Sequence, residues 1–231
     1  MLIRKDSIEA LLTKSKQQLE DIIREYQLSL NKQNISDILK VDIKNYCENI
    51  RSILDYLAHE IHDKYCSAST RTNYYFPILP DNRQFAARMS QWYPSLNSSN
   101  NAIYSYLETI QPYNPQCAWL GEFNKINNEN KHGDLVEQTK TQSERITAKS
   151  NSGKSSVSWS PQNVQFGSGV YINGVHVNPK TQIPEPSPNQ TVMKVIWVDF
   201  IFAEINRSAI SLLKKTYNGV SKIYEDLENI I

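Results

Sequence analysis

The stretch DILKVDIKNYCENIRSILDYLAHEIHDKY, residues 37–65, has its apolar residues three or four positions apart. That spacing predicts a long amphipathic helix. The preceding segment, about Asp6 to Asn31, shows the same spacing with a gap at Ser15. The turn NKQNIS between them offers Asn34 or Ser36 as the N-cap of the second helix. Two long helices joined by a short polar turn are expected to fold back as an antiparallel pair.

Helical spacing is lost and then returns in the middle of the chain. Residues 67–96 are rich in proline and aromatic residues, which predicts an irregular, ordered crossover. SSNNAIYSYLETIQPY has apolar residues on one helical face, and Pro112 ends that run. A further helix is expected to begin near Pro115 and to end with Gly133 as its C-cap.

The following segment, residues 139–205, has the composition of short strands. It is poor in leucine, and Asn173-Gly174 is its best hairpin signal. QTVMKVIWVDFIFAEI is rich in β-branched and aromatic residues and predicts a long strand. Residues 206–231 then predict a closing helix, whose apolar seam suits either the bundle or a partner chain.

The predicted fold class is α+β and mainly α. It consists of an antiparallel helical bundle (1–138), a small antiparallel β insertion (139–205) and a last helix that completes the bundle (206–231). No flexible linker separates these parts, so a single domain is predicted overall.

Composition narrows the classes of function. The chain has 25 Lys plus Arg against 24 Asp plus Glu, which argues against a generally basic nucleic-acid coat but leaves room for a local patch. No apolar run approaches a membrane span, and MLIRKDSIEALL does not resemble a secretory signal. Three scattered cysteines, Cys47, Cys66 and Cys117, fit a reducing cytoplasm better than a zinc site or a disulfide framework. We therefore expect a cytoplasmic protein without membrane contact.

A polar stripe runs along the second helix through Arg51, Asp55, His59 and His62, at spacings of four, four and three. On a helical wheel Arg51 and His62 are about 20° apart at the edge of the apolar face, and His59 leans towards solvent. The first interpretation is structural. Arg51 and Asp55 would form an ion pair that meets Asn130 and His132 across the bundle in a buried polar network.

Two other interpretations make the stripe a functional site. Asp55, His59 and His62, with His132, could ligate a metal ion, although no metal or other cofactor is the preferred prediction. Alternatively Arg51 would hold a phosphate while His59 and His62 move protons, as a metal-independent endoribonuclease requires. The catalytic candidates are then Arg51, His59 and His62.

Four short motifs, NIRSILDYLAHEI, YYFPI, IQPY and NKHGDLV, occur in that order between about Ile50 and Val136. This order resembles a group of uncharacterised bacterial proteins in which an RS-x-LD helix is followed by FPI, QPY and NKHR. That group in turn resembles the HEPN superfamily of helical bundles, which is found in toxin–antitoxin and antiphage defence systems and includes many dimeric ribonucleases. The resemblance implies a homodimer, or a complex with a partner protein, that engages RNA.

The chain departs from the HEPN catalytic pattern in two places. Catalytic members have four to six residues between an arginine and a histidine, whereas seven separate Arg51 from His59 and ten separate it from His62. Gly133 also stands where the related group usually has arginine. The predicted function is a defence or toxin-type component that engages RNA or a partner protein. The alternatives are a scaffold that uses the β insertion and last helix, and, third, a metal-binding bundle enzyme.

Overall fold

The computed structural model describes residues 2–32, 35–66, 73–132, 138–202 and 205–231. The chain is α+β with antiparallel strands, as predicted. It divides into two compact units. The helical unit comprises residues 1–139 and 201–231, and the β unit comprises residues 140–200.

Seven α-helices lie in the described part of the helical unit: α1 (Lys5–Lys32), α2 (Asp37–Tyr65), α3 (Asn82–Trp92), α4 (Leu96–Ser99), α5 (Asn101–Thr109), α6 (Ala118–His132) and α7 (Ala209–Ile230). The side chain of Ser36 accepts a hydrogen bond from the Leu39 amide and caps α2, as predicted. A 3-10 turn, Pro115–Cys117, precedes α6. Gly133, the predicted C-cap of α6, lies outside the described residues.

Helices α1 and α2 form the predicted antiparallel pair. Near the start of α1 the carboxylate of Glu60 accepts hydrogen bonds from the amides of Ile3 and Arg4, at 2.8 and 2.7 Å. Further along α1, the side chain of Gln18 accepts from Asn49, which lies earlier in α2. The two contacts run in opposite order along the two helices, so the helices are antiparallel. Ser15 is fully buried, which shows that the gap in the apolar spacing of α1 is a small residue at a packed position.

The prediction of an irregular crossover over residues 67–96 is wrong for its second half, which contains α3 and the first residue of α4. Helix α3 begins after Asp81, whose side chain accepts from the Gln84 amide. It buries only Phe85 and Met89. Two apolar positions four residues apart are too few to give a recognisable helical pattern against the surrounding proline and aromatic residues.

The segment FPIL, residues 76–79, is held in place by Gln111. This fully buried side chain accepts a hydrogen bond from the Leu79 amide at 2.9 Å and donates to the carbonyls of Pro77 and Leu107, at 3.0 and 2.7 Å. Because every polar atom of the amide is engaged, the FPI and QPY motifs are joined by direct contact.

The apolar seam of α7 is used inside the helical unit. Leu213, Val220, Tyr224 and Leu227 are all buried. The hydroxyl of Tyr46 donates to the Leu213 carbonyl at 2.9 Å and links α2 to α7. Of the two roles that the spacing allowed for the seam, the bundle is the one observed.

Buried cysteines contribute to this core without forming disulfides. Burial raises the pKa of the Cys47 thiol to about 12 and that of Cys66 to about 11. Both thiols therefore remain protonated and unreactive at neutral pH.

The β-rich segment has six strands: β1 (Gln138–Ser150), β2 (Ser156–Trp159), β3 (Tyr171–Ile172), β4 (Val175–Asn178), β5 (Ile183–Pro184) and β6 (Gln190–Phe202). Three of them, in the order β2-β1-β6, belong to a four-stranded sheet, and the other three form a sheet of order β3-β4-β5. Asn173-Gly174 forms the predicted two-residue hairpin, with φ of +53° and +78°. A short β7 (Arg207–Ser208) is the fourth strand of the first sheet and pairs with the end of β6 inside the helical unit.

A separate apolar core supports the β unit. It is built from Ile146, Ala148, Trp159, Ile172 and Val177. Across the described ranges, no helix is long and apolar enough to cross a membrane.

Candidate functional site

Arg51 and Asp55 form a close ion pair one turn apart on α2. The Arg51 Nη2 atom lies 2.9 Å from Asp55 Oδ1, and Nε donates to Oδ2 at 3.3 Å. A third donor, Nη1, reaches Oδ1 of Asn124 on α6 at 3.4 Å. The Arg51 side chain is only 11% exposed and that of Asp55 33%. The guanidinium is therefore fixed in orientation by two helices, while one edge of the carboxylate stays accessible.

This ion pair forms part of an open pocket of about 480 Å³, which we call the α2–α6 cleft. Polar and aromatic side chains share its surface. The lining residues are Arg51, Asp55, Tyr75, Phe76, Ile78, Trp92, Asn124 and Asn128.

One wall of the α2–α6 cleft is aromatic. The rings of Tyr75 and Trp92 meet edge to face with centroids 5.9 Å apart. Tyr75 is 53% exposed, so its ring is accessible to a ligand. The Arg88 guanidinium lies 5.6 Å from the Trp92 ring centroid. A planar ligand in the cleft would therefore find an aromatic surface beside charged and amide groups.

The two histidines of the stripe lie in a different environment, the aromatic cluster of His59, His62, Tyr74 and Tyr93. His62 stacks on Tyr74 with ring centroids 3.8 Å apart and planes 6° apart. His59 Nδ1 is hydrogen-bonded to the Tyr74 hydroxyl at 2.8 Å. The Tyr93 hydroxyl donates to the Tyr75 carbonyl at 2.8 Å. The cluster thus fixes residues 74–75, which lead directly into the wall of the cleft.

His62 is buried, with 5% of its surface exposed, and its Nε2 atom has no hydrogen-bond partner. Desolvation lowers the pKa of His62, the nearby Asp63 carboxylate opposes this, and His59 adds to the lowering. The neutral imidazole is therefore the favoured form in the folded protein. The sequence predicts that the His62 ring lies at the edge of the apolar face of α2. It does not predict that this ring stacks on Tyr74.

The structure does not bring the three catalytic candidates together. At a rise of about 1.5 Å per residue, His59 lies about 12 Å beyond Arg51 along α2, and His62 lies about 17 Å beyond it. Arg51 faces the α2–α6 cleft, whereas both histidines contact Tyr74. The guanidinium and the two imidazoles are therefore described in different surroundings, the cleft and the contacts with Tyr74.

The metal alternative also lacks a ligand set in the part of the chain that the structure describes. There, no three His, Cys, Asp or Glu side chains are grouped so that they could hold a metal ion. Asp55 pairs with Arg51, and His59 and His62 belong to the aromatic cluster. The side chain of His132, the fourth predicted ligand, lies outside the described part.

The predicted polar network is observed in a different form. Arg51 and Asp55 do pair, and among the described side chains Asn124 of α6 contacts Arg51. The side chains of Asn130 and His132, which were predicted for this role, lie outside the described residues. The sequence held a usable signal, since Asn124 and Asn128 are four residues apart on one face of α6. Tyr75 and Trp92 had no comparable signal, because they lie in segments without periodicity.

Comparison with known proteins gives this chain no family. No family model, no curated protein and no solved structure matches it. Evidence on its function must therefore come from the chemistry of the α2–α6 cleft and of the aromatic cluster.

Proposed function

We propose that the protein is an RNA-binding component of a prokaryotic defence or toxin-type module, and that its helical unit is a HEPN-like bundle. The order of the four sequence motifs supports the bundle. The observation that carries the binding proposal is the α2–α6 cleft, in which the Arg51–Asp55 pair and two asparagine amides face an exposed tyrosine and a tryptophan.

The chemistry of the cleft suits an unpaired nucleotide. Single-stranded RNA is recognised by stacking of its bases on aromatic side chains and by hydrogen bonds to the base edges. Tyr75 supplies an exposed ring, and Arg51, Asp55 and Asn124 supply donors and an acceptor beside it. A volume of about 480 Å³ lies within the usual range for small-ligand pockets.

Binding is favoured over cleavage. Cleavage without a metal ion requires a general acid or base next to the group that holds the phosphate. Here His59 is engaged by Tyr74, and His62 is buried and stacked. We therefore propose recognition of RNA without hydrolysis.

Fluorescence anisotropy with a labelled single-stranded RNA tests this proposal. Stacking of a base on an aromatic side chain contributes about 1–3 kcal/mol, so Tyr75→Ala should weaken binding by about 5- to 150-fold. Arg51→Lys should also weaken it, because lysine cannot keep the planar contacts with Asp55 and Asn124. Tyr171→Ala is the matched control, since Tyr171 is an exposed aromatic residue of the β unit.

The proposal fails if wild-type protein does not bind the RNA, or if Tyr75→Ala binds as tightly as Tyr171→Ala. Cleavage of the RNA by wild-type protein would contradict recognition without hydrolysis, and its loss in Arg51→Ala, His59→Ala and His62→Ala would restore these three residues as catalytic.

The resemblance also leads us to propose a homodimer or a complex with a partner protein. Light scattering at micromolar concentration should give twice the mass of one chain for the protein alone, or the summed mass of both chains when it is mixed with the product of a neighbouring gene. Leu213, Val220, Tyr224 and Leu227 of the α7 seam are buried in their own bundle, so the contact is expected to use other residues.

A further inference from the structure

We infer that the α2–α6 cleft selects guanine among the four RNA bases. This inference rests on the proposed binding of an unpaired nucleotide and adds the identity of the base. It follows from the donors and acceptor that Arg51 and Asp55 leave free beside the aromatic wall.

Arg51 retains donors for a ligand. A guanidinium has five N–H donors. Two of them are hydrogen-bonded, one to Asp55 Oδ2 and one to Asn124 Oδ1, and Nη2 also lies 2.9 Å from Asp55 Oδ1 in the ion pair, which leaves at least two donors unused. Because Arg51 lines the cleft and its position is fixed by α2 and α6, these donors are presented without further ordering of the side chain.

Asp55 retains an acceptor next to those donors. Its Oδ1 atom is buried 2.9 Å from Arg51 Nη2 in the ion pair and has no hydrogen-bond partner. Its Oδ2 atom accepts only the longer 3.3 Å contact from Nε. A carboxylate oxygen can accept more than one hydrogen bond, so Oδ2 can still accept one from a ligand. The cleft therefore offers the N–H donors of Arg51, held in a fixed position, beside the carboxylate of Asp55, which when ionised can only accept hydrogen bonds.

Guanine matches this order of groups along its edge. It presents two acceptors, N7 and O6, followed by two donors, N1–H and the N2 amine. Arginine pairs with N7 and O6 in the commonest base-specific contact of DNA-binding proteins. With Arg51 on O6, the neighbouring N1–H and N2 amine would face Oδ2 of Asp55.

The other bases place a mismatched group against this pair. Adenine has an amine where guanine has O6, so a donor would face the Arg51 donors. Uracil matches at O4 and N3–H, but its O2 would face the Asp55 carboxylate, and as a pyrimidine it offers a smaller surface for stacking. Cytosine presents its amine and acceptors in the reverse order. A buried polar group left without a partner is costly, so each mismatch weakens binding.

Calorimetric titration of the whole chain with GMP, AMP, UMP, CMP and IMP tests the inference. One good bidentate contact discriminates by about 1–3 kcal/mol, so GMP should bind about 5- to 150-fold more tightly than AMP, UMP or CMP. IMP lacks only the N2 amine, and it should bind more weakly than GMP but more tightly than AMP. Parallel titrations with a guanine-containing RNA and a guanine-free RNA show whether the protein binds guanine within an RNA strand or only as a free nucleotide.

Asp55→Asn should reduce the preference for GMP over UMP while leaving the aromatic wall intact. Glu48→Gln, which removes a charge one turn before Arg51 on the same helix, is the matched control and should keep the preference. If Asp55→Asn does not fold, the comparison of IMP with GMP on wild-type protein still tests the same contact.

The outcomes separate this inference from the proposed function. Equal binding of all mononucleotides and of both RNAs would overturn guanine selection and leave RNA binding standing. Tight binding of GMP without binding of either RNA would support guanine selection and overturn the RNA proposal. Binding of neither would overturn both.

Discussion

The two halves of the polar stripe on α2 lie one after the other on the same helix and have opposite environments. Arg51 and Asp55 face the open α2–α6 cleft, where their charges balance each other and α6 supplies a further partner. His59 and His62, two turns later, lie in an aromatic cluster where one ring is hydrogen-bonded and the other is buried by stacking.

The difference comes from what packs against each half. Side chains of α6 reach the first half, while Tyr74 and Tyr93 cover the second. The segment that packs against the edge of an amphipathic helix therefore decides the role of a polar side chain there. The side chain either faces a cleft that a ligand can enter or is packed against other side chains. Four changes, taken from the largest expected effect to the smallest, would sharpen or break this comparison.

Arg51→Met should have the largest effect, a loss of about 1–3 kcal/mol in the free energy of unfolding, because a buried carboxylate oxygen of Asp55 loses its cation. Urea denaturation at neutral pH measures it. Lys44→Met is the control, since Lys44 forms a half-exposed 4.0 Å pair with Glu48 on the same helix, and it should cost less than about 0.5 kcal/mol. Equal midpoints for the two variants would show that the Arg51 pair does not support the fold.

Tyr74→Phe should come next, with a loss of about 0.5–1.5 kcal/mol, because it removes the hydrogen bond to His59 and keeps the stack on His62. His59→Ala should lower the free energy of unfolding by a similar amount, because it removes the same hydrogen bond. The helical wheel alone, which turns His59 towards solvent, would predict a nearly neutral change. A double-mutant cycle in urea denaturation gives the coupling energy directly. Strict additivity would mean that the hydrogen bond contributes nothing to stability.

His62→Phe should act in the opposite direction. Phenylalanine can keep the stack on Tyr74, and it removes the buried Nε2 atom that has no partner. We expect a gain of up to about 1 kcal/mol in the free energy of unfolding at neutral pH. A clear loss of stability would indicate that the imidazole makes a polar contact that phenylalanine cannot replace.

The smallest effect is a change in pH dependence. Burial lowers the pKa of His62, so the unfolded chain takes up this proton first as the pH falls. The wild type should therefore lose stability as the pH falls below about 6.5, the ordinary value, until the lowered pKa of the folded state is reached. The difference in stability between His62→Phe and wild type should widen over that window. A constant difference would mean that His62 has the same pKa in both states.

Local patterns were sufficient for much of the fold. Helix α2 and its Ser36 cap follow from apolar spacing and a hydroxyl at the right position, and the Asn173-Gly174 hairpin follows from two residues that tolerate positive φ. These features depend on neighbours a few residues away, which is the range over which sequence patterns act. Helix α3 was missed because its short, weakly apolar sequence is stabilised mainly by the burial of Phe85 and Met89.

The sequence by itself determined the α+β class, the paired long helices, the polar stripe and the Arg51–Asp55 pair, since each depends on residues close together in the chain. Only the tertiary structure decided which residues complete the site. Asn124 is 73 residues from Arg51, and Tyr74 is brought over His62 by a segment that Gln111 holds from 32 and 34 residues away. Helical spacing defines which face of α2 a side chain occupies. The packing of distant segments decides what that side chain meets there, because burial and hydrogen bonding depend on contacts that no local pattern records.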